Sequence, residues 1–196
     1  MPSKPFMGPR RMDNGGPPSM GGMSGWEALK RDFVYTDAHL QVLRLDPSSR
    51  PPWVVRVERP IANLTGQELA LRAFYFPEGL GLEEVPAFVL RHLAGVARMR
   101  LVLGVPPEPG VWEVDLDPVH VHHAPDALWL DKGERVAVEY DAGYPKPIVL
   151  EKLYGLAYRY DRQIWGAPTW SRVGYLERLI PASLKRKVRV VRAPWA

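Results

Sequence analysis

The 196 residues are 46% hydrophobic and 24% charged, a balance that supports a folded core and excludes a disordered polymer. There is no cysteine, so disulfides and thiolate metal sites are excluded and any divalent ion must be held by oxygen or imidazole. The net charge of +4 is unevenly spread, with nine Lys/Arg against two Asp/Glu from Arg159 onward, a local basicity that suits nucleic acid or an acidic partner as well as plain solvation.

No run approaches the roughly 20 apolar residues a membrane span needs, and the N-terminus lacks the apolar core of a signal peptide. The expectation is a cytoplasmic chain with no membrane contact.

Residues 1–25 hold five Met, five Pro and six Gly, with little to offset the entropy of ordering them. They read as a disordered tail. Residues 26–82 read as a small α/β appendage. A short helix begins near Trp26, Trp53 to Val57 form a strand between proline breakers, and Thr65 opens a second helix with Glu68 at the capping-box position. Such helix-strand-helix pieces can form a degenerate winged helix, although no helix here shows a clear basic face.

Residues 83–196 have a cleaner rhythm. Pro86 suits the first turn of a helix carrying Phe88, Val89, Leu93, Val96 and Leu101, closed by Gly104. Three strands follow, over Val111 to Leu116, Asp126 to Leu130 and Arg135 to Tyr140, the last two separated by a Lys132-Gly133 turn. The spacing of Val149, Leu153, Leu156, Tyr160 and Ile164 predicts one long amphipathic helix, Ser171 to Ile180 a second, and Lys187 to Arg192 a final strand. The expected order is helix, three strands, two helices, strand.

Within that order, Pro125-Asp126 enters one strand and Glu139-Tyr140-Asp141 ends the next, which resembles the PD-(D/E)XK, or restriction-endonuclease-like, superfamily. More narrowly, His123-Ala124-Pro125-Asp126-Ala127-Leu128 followed by Val138-Glu139-Tyr140-Asp141-Ala142-Gly143 and a helix is similar to the nuclease-like domain of replication-relaxation proteins. The resemblance covers about Glu83 to Arg192. It implies a restriction-endonuclease-like α/β core acting on DNA in plasmid, phage or replication-related processing.

Two carboxylates side by side at one end of a sheet suit a hard ion such as Mg²⁺, so Asp126 and Glu139 are candidate catalytic residues and metal ligands. Asp141, two residues on and on the same strand face, is a candidate third ligand. It also stands where the superfamily motif places lysine. Lys146, or alternatively Lys152, is the candidate for that cation.

His120-x-His122-His123 admits a zinc reading on spacing alone, without an evident third ligand set. The basic and aromatic residues Arg159, Arg162, Trp165, Trp170 and Arg172, and the run Lys185-Arg186-Lys187, are candidates for stacking on bases or touching phosphates. There is no phosphate-binding glycine loop after a strand and no nucleophile elbow, so nucleotide hydrolysis and acyl transfer have no support. Three readings stay open: a magnesium-dependent nuclease, a catalytically silent DNA-binding module, and a structural or assembly protein; self-association is allowed by all three.

Overall fold

The computed structural model describes residues 24–62, 69–116 and 124–196, which form a mixed α/β protein of five helices and two sheets. All but Ser24 and Gly25 of the expected tail lies outside the described residues. Ser24 caps helix α1 (Gly25–Asp32), its hydroxyl accepting from the Glu27 amide.

The described residues of 26–82 do not make helix-strand-helix. Strand β1 (Tyr35–Thr36) leads into a short helix α2 (Asp37–Leu43), and strands β2 (Val54–Ala62) and β3 (Leu69–Pro77) pair antiparallel over nine residues each in a three-stranded sheet ordered β1-β3-β2. The helix expected from Thr65 is therefore a correction: Thr65 and Glu68 lie outside the described residues, and the chain after them is strand. Ala73, Phe74, Tyr75 and Phe76 are buried in succession, the pattern of a strand packed on both faces, which local propensity does not separate from a buried helical segment.

Helix α3 (Ala87–Leu103) ends at Gly104 in the left-handed conformation, as the sequence predicts. It is followed by β4 (Trp112–Val114), β5 (Ala127–Asp131) and β6 (Glu134–Tyr140), an antiparallel meander. Helix α4 (Lys146–Arg159), strand β7 (Arg162–Ala167), helix α5 (Trp170–Leu179) and strand β8 (Val188–Arg192) complete a five-stranded sheet ordered β4-β5-β6-β7-β8, in which β6, β7 and β8 are parallel.

The long helix expected through Ile164 stops at Tyr160, and β7 takes its place. Ile164 and Trp165 both belong to β7, one on each face of the sheet. Ile164 packs with Val136 and Val138 toward α3, and Trp165 packs with Ala137, Leu153 and Leu156 toward α4 and α5. The sheet thus sits between α3 on one face and α4 and α5 on the other.

Helix α3 ties the two sheets together. Phe74 and Phe76 of β3 share a core with Leu90, Met99, Val136 and Tyr140. Gly95 lets α3 approach β6, because a Cβ there would stand 2.1 Å from the Tyr140 ring. Arg100 of α3 forks onto Asp32 of α1, with Nε to Oδ1 and Nη2 to Oδ2 both at 2.6 Å, and its Nη1 donates to the Val105 carbonyl at 2.8 Å. Both side chains are fully buried, and the Tyr35 hydroxyl donates to Asp32 Oδ2 at 2.7 Å.

Candidate active site

In a parallel α/β arrangement the strand carboxyl ends and the helix starts that follow them gather at one end of the sheet, where ligands bind. Here that end holds Glu139, Tyr140 and Asp141 of the β6 terminus, Ala167 of β7, Arg192 of β8 and the first turns of α4 and α5. Strand β5 runs antiparallel to β6, so its entry, Asp126, comes to the same end.

Asp126 and Glu139 are brought together. They lie one step beyond the Ala127–Val138 pair of the β5/β6 register, and Asp126 Oδ2 accepts from the Tyr140 amide at 2.6 Å. The cation beside them is Lys152, in the second turn of α4, whose Nζ lies 2.6 Å from Glu139 Oε2 and 3.8 Å from Asp126 Oδ1. Lys146 does not fill this role, because it is the first residue of α4 and is exposed. Lys152 directly precedes Leu153, on the flank of the buried face formed by Val149, Leu153 and Leu156, so its stem runs along the sheet and its head reaches the strand ends.

From the other side of the sheet His92 of α3 brings Nε2 to 3.2 Å from Asp126 Oδ1. The Tyr144 ring lies beside both side chains, 5.3 Å from Lys152 Nζ and 6.4 Å from the His92 ring.

Two carboxylates this close and this buried cannot ionise alike. Burial opposes charge on Asp126, but His92, Lys152 and the Tyr140 amide outweigh it and hold its carboxyl below the ordinary range. Burial, then the neighbouring Asp126, pushes Glu139 well above its ordinary value despite Lys152. The Lys152 ammonium, penalised by burial, is held charged by Glu139 and Asp126, and its pKa is raised. One oxygen of Glu139, Oε1, is buried with no hydrogen-bond partner.

Asp141 does not join this group. Its Oδ1 accepts from the Gly143 and Tyr144 amides at 2.6 and 2.8 Å, and Arg172 of α5 forks onto the carboxylate, with Nε to Oδ2 at 3.0 Å and Nη2 to Oδ2 at 2.8 Å. Arg172 also donates to the Tyr144 carbonyl. The expected third ligand is thus a clamp holding the β6–α4 turn against α5. Among the described residues no three His, Asp or Glu side chains are placed to hold a metal ion. The Asp126–Glu139 pair does fit a hard ion bound through two carboxylates, since that mode leaves the remaining positions to water or substrate oxygens, and the orphaned Glu139 oxygen is the acceptor available to it. The run His120, His122 and His123 lies outside the described residues.

The expected nucleic-acid residues do not form one surface. Trp165 is 1% exposed and donates to Gln163 Oε1 at 3.0 Å, so its ring is core and has no face to offer a base. Arg162 is paired with Asp131 and Glu134. Arg162, Lys185, Arg186, Lys187 and Arg189 line a cavity of about 610 Å³ at the amino ends of β7 and β8, away from the carboxylates. Arg159 is exposed in the last turn of α4. Trp170 is 69% exposed at the carboxylate end of the sheet.

Lys152 and His92 complete the site, yet sequence spacing singles out neither over Lys146 or His39, because each joins through a helix packed on an opposite sheet face. Among the described residues no helix is long and apolar enough to cross a membrane. No family model, curated protein or solved structure is significantly similar to the chain.

Proposed function

We propose that this protein acts on DNA through a restriction-endonuclease-like core, with Asp126, Glu139 and Lys152 as the residues of a phosphodiester-hydrolysing site. The observation that carries this reading is Lys152 Nζ lying 2.6 Å from Glu139 and 3.8 Å from Asp126 at the carboxyl end of the sheet. It supplies, from a helix, the cation that the β6 motif lacks because Asp141 occupies its place.

Asp126 and Glu139 would hold Mg²⁺, which when bound polarises a phosphodiester and favours hydroxide as nucleophile. Lys152 would balance the paired carboxylates and offer its ammonium to charge developing on a phosphate oxygen. His92, 3.2 Å from Asp126 on the opposite face, would favour the ionised form of that carboxyl.

Incubation of single-stranded and duplex DNA with Mg²⁺, with Mn²⁺ and with chelator, for wild type and for D126A, E139Q and K152A, tests it. Metal-dependent cutting by wild type that falls at least about 100-fold in all three variants is the expected result. Cutting that survives all three variants, or none by the folded wild type, overturns it.

A second reading is favoured by the closure of the site, since Glu139 is 0% and Lys152 only 13% exposed. In it the cluster is a retained structural ion pair within a silent DNA-binding module. Salt-sensitive binding without cutting is its signature.

A further inference from the structure

A second constellation stands at the same end of the sheet, with no acidic side chain in it. A cavity of about 380 Å³ is lined by Arg72 of β3, Arg91 of α3 and Arg192 of β8, with Thr169, Pro168, Trp195 and Ala196, whose α-carboxylate makes no ion pair with the three, among its walls. Guanidinium groups stay charged at any ordinary pH. Three of them around one cavity make a positive field that an anion entering it would relieve, screened in part where Arg72 and Arg192 face solvent. Among the described residues none of the three has an ion-pair partner.

Buried orphans point the same way. The Nε atoms of Arg91 and of Arg98, two turns further along α3, are buried and donate to no acceptor. Burial, then the positive charge of Arg192, lowers the Arg98 pKa, a sign of like charges crowded without a counter-ion. Helix α5 begins at this cavity through its N-cap Thr169, whose hydroxyl accepts from the Arg172 amide at 3.2 Å, and so adds the positive end of its dipole.

The cavity adjoins the carboxylate site. Arg91 also lines a neighbouring apolar cavity of about 400 Å³ together with His92 and Tyr144, and His92 touches Asp126. At the rim the exposed Trp170 ring lies 5.7 Å from the Arg192 guanidinium, offering a face on which a base can stack.

We propose that the Arg72–Arg91–Arg192 cavity binds the terminal phosphate monoester of a nucleic-acid single strand, with the end base on Trp170 and the strand leading past Arg91 toward Asp126, Glu139 and Lys152. This rests on the DNA reading above and makes it specific. Three guanidiniums match a monoester of charge about −1.5 to −2 better than the single charge of a diester. A cavity of about 380 Å³ has room for a nucleotide end.

The test is fluorescence anisotropy of short labelled single strands carrying a 5′ phosphate, a 3′ phosphate or neither, in chelator so that nothing is cut. Wild type is compared with R72Q, R192Q and, as a control at the far end of the sheet, R189Q; all three arginines are exposed, so the fold is not at stake. One phosphorylated end is expected to bind about tenfold tighter than a hydroxyl end, with a salt slope about 0.7 lower in each pocket variant. The preference should vanish in R72Q and R192Q and persist in R189Q. Equal binding of all three strands, or a preference untouched in R72Q and R192Q, overturns the proposal. A mononucleotide or inorganic phosphate binding as tightly as the strand assigns the cavity to free phosphate and overturns the strand end. The two readings fail separately: an arginine-dependent end preference without metal-dependent cutting leaves the cavity and removes the nuclease, whereas cutting without end preference does the reverse.

Discussion

Two buried charge clusters in this molecule are built on opposite principles. Around Arg100 and Asp32 every strong group is answered: both carboxylate oxygens accept from the guanidinium, Tyr35 adds a donor, and the spare guanidinium nitrogen finds the Val105 carbonyl. Around Lys152 the answer is incomplete. Two carboxylates face one ammonium, Glu139 Oε1 has no partner, and His92 meets Asp126 without hydrogen-bond geometry. A satisfied cluster joins two elements, here α1 and α3. A cluster with surplus acceptors has affinity left for something that brings charge, and that contrast is the reason the second is proposed as the site.

Breaking the satisfied cluster should have the largest effect. Arg100→Met leaves Asp32 buried and unpaired and should cost about 3–5 kcal/mol of unfolding free energy, read as a drop in the urea midpoint. A loss below about 1 kcal/mol would mean that the cluster joins nothing.

The next effect is a pH dependence of the same region. His39 is buried between α2 and α3, its Nδ1 accepting from the Thr36 amide at 3.1 Å and its Nε2 3.0 Å from the Ala94 carbonyl. Burial, then Arg98, lowers its pKa from 6.5 to about 3. The unfolded chain therefore binds the extra proton between those values, so this contribution is complete above pH 6.5 and is lost as the pH falls toward 3. Relative to His39→Gln, wild type should lose about 2 kcal/mol between pH 7 and pH 5. Parallel pH profiles for the two proteins would remove His39 from the account.

Glu139 should show the opposite sign. Its carboxyl is raised in the folded state, so its contribution is full below its unfolded value near 4.5 and is lost as the pH rises through the folded value. Glu139→Gln, which removes the titrating carboxyl, should flatten that limb when urea midpoints are compared across pH. A loss as large as that of Arg100→Met would make the two clusters alike and favour the structural reading. Smallest of all, Trp170→Ala should alter stability by no more than about 0.5 kcal/mol while weakening single-strand binding by about 1–3 kcal/mol, the worth of one stacked base.

Much of the second half was legible from local pattern. Pro86 and Gly104 bound α3, the Lys132-Gly133 turn sets β5 against β6, and the alternation after Lys187 is β8. That turn and the two strand lengths bring Asp126 opposite Glu139, because an antiparallel register follows from the turn. What local pattern could not settle were the segments whose apolar positions suit either period. Tyr160 and Ile164 continue a helical stripe, yet Ile164 and Trp165 are strand because parallel pairing with β6 and β8 buries both faces; β3 is a strand for the same kind of reason. Partners distant in sequence were decided only by packing. Whether Lys146 or Lys152 reaches Glu139 depends on which face α4 turns to the sheet, and whether Asp141 is a ligand or a clamp depends on Arg172, which is 31 residues away. The gathering of Arg72, Arg91 and Arg192 draws on a strand of each sheet and the helix between them. Local chemistry writes turns, caps and strand registers into the chain, whereas coincidences among side chains far apart in sequence exist only once a shared core has fixed the elements that carry them.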